Sequence, residues 1–230
     1  MVVDRLFPCF PIPISIYNFK NEHHELNTQL LDDIYSEKNI VNKDELKTKQ
    51  SRYRDYSIHS WNSPENMHTR YSSFKSLKSI IEGSISDYCD KSGHEGGIEI
   101  DKIWSVCLQE NQYIQSHIHY ETVMTGVYYP AKQVLDNEYV FNYSENASLL
   151  PGHWDMETGG CLALQDPSYA LKSGMRRKKH IRQPYTMDHY HYYPIAGTLV
   201  LMPSYLMHSV LPFKGKGERI SISFSCQYKS

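Results

Sequence analysis

The sequence predicts a mainly β fold of the α+β class: a double-sheet jelly roll (double-stranded β-helix) braced by N-terminal helices. Three observations carry that expectation. Before residue 98 the apolar residues recur at helical spacing. After it they fall into short β-branched and aromatic runs separated by turns. Between those runs lie two long irregular segments, 131–159 and 168–194, the sort of excursion that joins short strands in a jelly roll. No internal repeat or linker divides the 230 residues. One domain is therefore expected over 1–230, with 1–97 as the N-terminal strand and helical bracing region and 98–230 as the jelly-roll core.

Taken in order, residues 6–17 are apolar but broken by Pro8, Pro11 and Pro13, which suits an extended edge strand. Leu26, Leu30, Leu31 and Ile34 put a helix over about 22–35, and residues 38–71 are polar enough to read as loop. Phe74, Leu77, Ile81, Ile85 and Tyr88 share one face of a second helix over about 73–88, which Gly83 weakens only slightly. Strands are expected from Ile98 to Leu108, Val123 to Tyr129, Gly160 to Gln165, Gly197 to Met202 and Ile220 to Phe224, the last alternating with Ser.

The formal net charge of −2 excludes a general polyanion binder and an acidic tail. Five cysteines, odd in number and without a Cys-x-x-Cys pair, argue against a disulfide framework or a zinc ribbon. No segment reaches the roughly 18 apolar residues needed to span a bilayer, and no basic-then-apolar leader opens the chain. A soluble, cytoplasmic protein with no membrane association is expected, with homo-oligomerisation left open. Twelve His and nineteen Tyr are the unusual counts, suited to sites where rings stack, donate hydrogen bonds or bind metal.

Chemistry concentrates in two distant segments. His117-Ile118-His119 places two imidazoles on one side of a strand, roughly 7 Å apart at Cα. His208 follows a strand ending in Met202-Pro203-Ser204, from which a neighbouring strand can bring it across. Three protein ligands on one face of an octahedral metal leave three positions open, whereas a structural site closes its coordination sphere. Arg219 and Ser221 share a face of the last strand. An Arg pointing into a barrel is costly without an anion, and its planar fork suits a carboxylate. Thr125 and Tyr129, on one face of their strand, offer two more hydroxyls to that carboxylate. The competing reading pairs Arg219 with Glu218 at the surface.

With these residues in place, the chain resembles the iron(II)/2-oxoglutarate-dependent dioxygenase superfamily. It is most similar to the bacterial and phage oxygenases that carry His-x-His, then Ser-Gly-Val-Tyr-Tyr, then Phe-Pro-Ser…His…Arg-Ile-Ser-Ile-Ser-Phe. Here these are His117-Ile118-His119, Thr125 to Tyr129, and Met202-Pro203-Ser204 through His208 to Phe224. Leu6-Phe7-Pro8, Trp104 and Gln165-Asp166-Pro167 extend the likeness over most of the chain, and the C-terminal motif is its specific part. The resemblance implies Fe(II) on His117, His119 and His208. It implies 2-oxoglutarate with its distal carboxylate on Arg219, helped by Thr125, Tyr129 and Ser221. The implied reaction is hydroxylation of a substrate C–H bond with release of succinate and CO2. The wider superfamily has His-x-Asp or His-x-Glu where this chain has His119. Since His119-Tyr120-Glu121 is itself a His-x-Glu, Glu121 stands as the rival ligand.

Two other functions stay open on the sequence: a three-His, cupin-type iron dioxygenase that uses no oxo acid, and a non-catalytic jelly-roll module whose metal only orders a binding site. The substrate is a small molecule, nucleotide or protein side chain. Several features read as bland. Arg176-Arg177-Lys178-Lys179-His180 is a solvated charge run. His153-Trp154-Asp155 is a loop cap or substrate contact, and Tyr185 and Tyr190 to Tyr193 are a stacking surface or lid. His189-Tyr190-His191 mimics a metal pair without a third ligand of its own. His23, His24, His59, His68 and His94 sit in polar surroundings and read as surface residues, while Cys107 and Cys161 are core.

Overall fold

The computed structural model describes residues 11–19, 23–40, 60–131, 134–135, 149–152, 159–168 and 189–229. In chain order its elements are β1 (Ser15–Asn18), α1 (His24–Ile40), β2 (Trp61–Asn62), α2 (Met67–Arg70), α3 (Ser72–Ser92), β3 (Ile98–Leu108), β4 (Ile114–His117), β5 (Met124–Tyr129), β6 (Val134–Leu135), β7 (Leu149–Gly152), β8 (Leu162–Gln165), β9 (His189–Tyr192), β10 (Thr198–Pro203), β11 (His208–Val210), β12 (Gly215–Lys216) and β13 (Arg219–Tyr228). A six-stranded sheet runs β1-β10-β5-β13-β3-β2, a five-stranded sheet runs β4-β11-β8-β9-β7, and β12-β6 forms a small ribbon. This is the mainly β, double-sheet fold with N-terminal helices that the sequence predicts.

The helices form where the apolar period placed them. In α3 the residues Phe74, Leu77, Ile81, Ile85 and Tyr88 are all buried. The helix stops at Gly93, whose φ of 71° is left-handed and whose N–H caps the Cys89 carbonyl. In α1, Leu30 and Ile34 are buried, and the helix runs five residues past the expected Tyr35. The extra turn is held by tertiary contacts that a local period does not show. Buried Glu37 takes Arg70 at 3.0 Å and the Tyr71 hydroxyl at 2.7 Å, and Lys38 reaches Glu218 at 2.5 Å. These helices pack on one face of the large sheet, joining Leu199, Leu201, Ile220, Ile222 and Phe224 in a single core cluster.

Alternation then decides what faces the interior. On β13, Ile220, Ile222, Phe224 and Cys226 turn to the helices, leaving Arg219, Ser221, Ser223 and Ser225 on the inner face. On β3 a bulge resets the phase. Ser225 pairs with Lys102 but Cys226 pairs with Ile100, so Asp101 is the extra residue. Ile100 and Ile103, three apart, consequently both face the helices, and Lys102, Trp104 and Val106 face inward. Gly126 of β5 is needed for packing alone, because a Cβ there would overlap Phe224 and the Val200 carbonyl oxygen.

Three expectations change. The segment 38–71 is not all loop, since β2 pairs with β3 and α2 precedes α3. The segments 131–159 and 168–194 hold β6, β7 and β9, whose pairing partners lie far away in sequence. His23 is not a plain surface residue; it stacks on Phe19 at 4.5 Å between centroids, with Nδ1 3.2 Å from the Tyr128 hydroxyl. β1 is an edge strand as expected, while the residues before 11 lie outside the described ones, as do His59, His153-Trp154-Asp155, Arg176 to His180 and Tyr185. No helix among the described residues is long and apolar enough to cross a membrane.

Candidate metal centre and oxo-acid pocket

A cavity of about 280 Å³ lies between the two sheets, lined from the large sheet by Trp104, Ser221 and Ser223 and from the small one by Leu162 and Val210. His117, His119 and His208 meet on its wall. Their ligand atoms all lie within 4.8 Å of one another. Ring centroids are 4.3 Å apart for His117–His208 and 5.2 Å for each of the other pairs.

Antiparallel pairing makes this meeting. His117, the last residue of β4, is the register partner of His208, the first of β11. His119 arrives by a different route from the one alternation suggests, because β4 has already ended. Its N–H donates to the Ser204 carbonyl at 3.0 Å, and the Ser204 hydroxyl donates to the Thr122 carbonyl at 2.5 Å, fixing the turn. Glu121 sits on that turn, exposed and with φ of 61°, outside the cluster of three His. The strand does not persist to Glu121, so the alternation that would bring its carboxylate inward is lost.

The imidazoles are arranged as donors to a cation. Nδ1 of His117 lies 2.8 Å from the Gln115 carbonyl, and Nδ1 of His208 lies 2.8 Å from the Leu206 carbonyl. A carbonyl only accepts, so each Nδ1 carries the proton and each Nε2 presents a lone pair. Burial, reinforced by the neighbouring His117, holds His208 down to about 3 and His119 down to about 4; burial also lowers His117. Three neutral nitrogens within reach of one point suit a divalent first-row metal and leave part of its sphere open.

Arg219 is 1% exposed at the inner end of the same cavity. Its Nε donates to the Gly160 carbonyl at 2.8 Å, one terminal nitrogen to Ser221 Oγ at 3.0 Å and the other to the Tyr129 hydroxyl at 3.4 Å. Burial lowers its pKa, and burial likewise pushes Tyr129 up to about 12 against the pull of the guanidinium. Arg nevertheless stays protonated in proteins. Among the described residues no carboxylate pairs with Arg219, and Glu218 is engaged by Lys38 instead. A buried cation flanked by two hydroxyls is suited to an anion.

Of the residues expected around that anion, Tyr129 and Ser221 are at the guanidinium and Thr125 is not. The Thr125 hydroxyl donates to the Phe224 carbonyl at 2.8 Å, on the cavity wall but in the row shared by Met202, Ser225 and Lys102. Sequence reasoning missed Gly160, whose φ of 77° turns the chain into β8 and aims a backbone carbonyl at Arg219. Gly159-Gly160 was the available signal. His189 and His191 are buried on β9, on the opposite face from Tyr192, and lie outside the three-His cluster.

No curated protein matches the chain by sequence. In fold it is similar to a prolyl-4-hydroxylase of Pseudomonas putida (TM-score 0.56, 11% identity, covering 95% of this chain and 94% of that one). It is also similar to the viral collagen prolyl hydroxylase of Paramecium bursaria Chlorella virus-1 (TM-score 0.50, 10% identity, covering 94% and 96%). A third likeness is to the non-haem α-ketoglutarate-dependent epimerase of nogalamycin biosynthesis (TM-score 0.54, 10% identity, covering 94% and 78%). At these identities the likeness is one of fold. A family model described as "Putative 2OG-Fe(II) oxygenase" matches residues 102–225, more than half of the sequence, and the chain belongs to that family.

Proposed function

We propose that this chain is an Fe(II)- and 2-oxoglutarate-dependent dioxygenase that hydroxylates a C–H bond of its substrate, acting as one domain over residues 1–230. The observation that carries this reading is the placement of Arg219. A buried guanidinium with no carboxylate partner among the described residues lies on the wall of the cavity where the ligand nitrogens of three imidazoles converge within 4.8 Å. A dicarboxylate spanning that cavity satisfies both ends.

The donor set fits the implied groups. His117, His119 and His208 would hold iron, and Arg219, Tyr129 and Ser221 would hold the distal carboxylate of 2-oxoglutarate. When bound, the iron and oxo acid supply oxidative decarboxylation to succinate and CO2, coupled to oxidation of the substrate. The chain's own work is orientation and exclusion of water. Gly160 fixes the guanidinium plane, so its two terminal nitrogens are presented together. Leu162, Val106 and Val127 give the cavity that holds Arg219 and the imidazoles an apolar wall, which strengthens the charge interactions made there.

The test is anaerobic addition of Fe(II) and then 2-oxoglutarate. The expected result is a weak visible charge-transfer absorption that needs both additions, followed by succinate on exposure to oxygen. Iron binding without that absorption would overturn the reading in favour of an oxo-acid-independent, three-His dioxygenase.

A further inference from the structure

We infer that the primary substrate is an anion, bearing a carboxylate or phosphate group that Lys102 receives at the mouth of the cavity; this rests on the co-substrate reading above. Three observations converge. First, the charge of the cavity is one-sided. Among the described residues its wall includes Lys102 and Arg219 but no Asp or Glu, and its metal-ligand set is three imidazoles without a carboxylate. Even with Glu65 beside Lys102, a divalent ion, Arg219 and Lys102 together exceed the negative charge of 2-oxoglutarate and that carboxylate. A cleft carrying residual positive charge concentrates anions.

Second, the fold aims Lys102 inward by a specific device. The bulge at Asp101 reverses the phase of β3; without it Lys102 would share the helix-facing side with Ile100. Bulges of this kind re-aim side chains beside functional sites. Lys102 stands in register with Ser225 and, through it, with Thr125, making a polar row. The next row inward is Trp104, Ser223 and Val127. Trp104, the next inward-facing residue of β3 after Lys102, lies 6.2 Å from His119 between ring centroids.

Third, Lys102 has a partner that holds it without burying it. Glu65 lies 3.0 Å from its ammonium, and both side chains remain more than a third exposed. Glu65 is itself fixed, because its carbonyl accepts the Ile103 N–H at 2.8 Å and Ser63 is bonded to Ser105 on both sides. An exposed pair of this sort contributes little to stability. It does keep a cation poised at the opening, where an incoming anion can replace or share the carboxylate.

The experiment uses the full chain loaded with Zn(II) and saturating 2-oxoglutarate, so that Arg219 is already occupied and no turnover occurs. Calorimetric titration compares phenyl phosphate, phenylacetate and benzyl alcohol, three probes that share a ring and differ in head group. The expected result is binding of one or both anions and not of the alcohol. Lys102→Ala should weaken that binding about tenfold and Glu65→Gln should tighten it several-fold, opposite signs that a merely structural pair would not give. Preference for phenyl phosphate assigns a phosphorylated substrate, and equal binding of phenylacetate assigns a carboxylate. Binding of neither anion with 2-oxoglutarate in place, or binding indifferent to Lys102, overturns the inference. Failure of 2-oxoglutarate itself to bind is seen separately in the loading step and removes both readings together.

Discussion

Arg219 and Gly160 are joined by a 2.8 Å hydrogen bond from the guanidinium Nε to the backbone carbonyl, which fixes the plane of a buried guanidinium on the cavity wall. Gly160 holds that carbonyl in place because its own N–H donates to the Leu211 and Pro212 carbonyls, at 3.2 and 3.1 Å, across the exit of β11. A lysine cannot reproduce this: it has one ammonium where Arg219 supplies three separately directed bonds. Arg219→Lys is expected to weaken 2-oxoglutarate binding by at least tenfold while leaving metal affinity within about twofold, measured by equilibrium titration of the Zn(II)-loaded chain.

The proposed metal ligands are separable from their rival by two substitutions. His208→Ala removes one of three nitrogens that converge within 4.8 Å, and metal affinity should fall by two orders of magnitude or more. Glu121→Gln changes an exposed turn residue outside the cluster and should leave affinity unchanged. A loss of affinity in Glu121→Gln, read by competition with a chromogenic chelator, would reassign the site.

Most of this was legible because it rests on alternation and period. The Ser-spaced apolar residues of β13 announce their two faces, and five apolar positions announce the buried side of α3. His117 and His119 were legible as a pair, but for a reason that proved incomplete. The strand ends at His117, and a turn fastened to Ser204 delivers His119. What stayed hidden has no side-chain signal. Gly160 acts through a carbonyl, β9 takes its structure from partners on β7 and β8, and the bulge on β3 appears only as a three-residue step between Ile100 and Ile103. Glu121 was a plausible ligand until a left-handed turn took it off the strand.

Gly126 carries a packing prediction that is independent of chemistry. Its missing Cβ lets β5 lie against Phe224 on β13 and the Val200 carbonyl on β10, both buried. Gly126→Ala forces backbone or ring to move and should destabilise the fold by about 1–3 kcal/mol. Thermal unfolding should show a lowered midpoint with a cooperative transition retained. An unchanged midpoint would mean the sheet relaxes at no cost, contrary to the close packing of its centre.

The three imidazoles also fix a pH dependence. In an unfolded chain a histidine takes up its proton near pH 6.5. In the folded, metal-free protein His119 resists until about 4 and His208 until about 3, through burial first and then the charge of His117. Between those limits the unfolded state binds more protons, so stability increases with pH across that interval. The contribution is fully present above about pH 6.5 and is lost as the pH falls toward 4 and then 3. Denaturant unfolding of the metal-free chain at pH 7.5 and pH 5 should show this loss, and a His119→Asn/His208→Asn double variant should show less of it. Zn(II) should extend the dependence to lower pH, because coordination requires all three nitrogens to be neutral and so opposes the protonation of His119 and His208 near pH 4 and 3. A wild-type slope no steeper than that of the double variant would mean that these imidazoles are not the buried, neutral donors their surroundings make them.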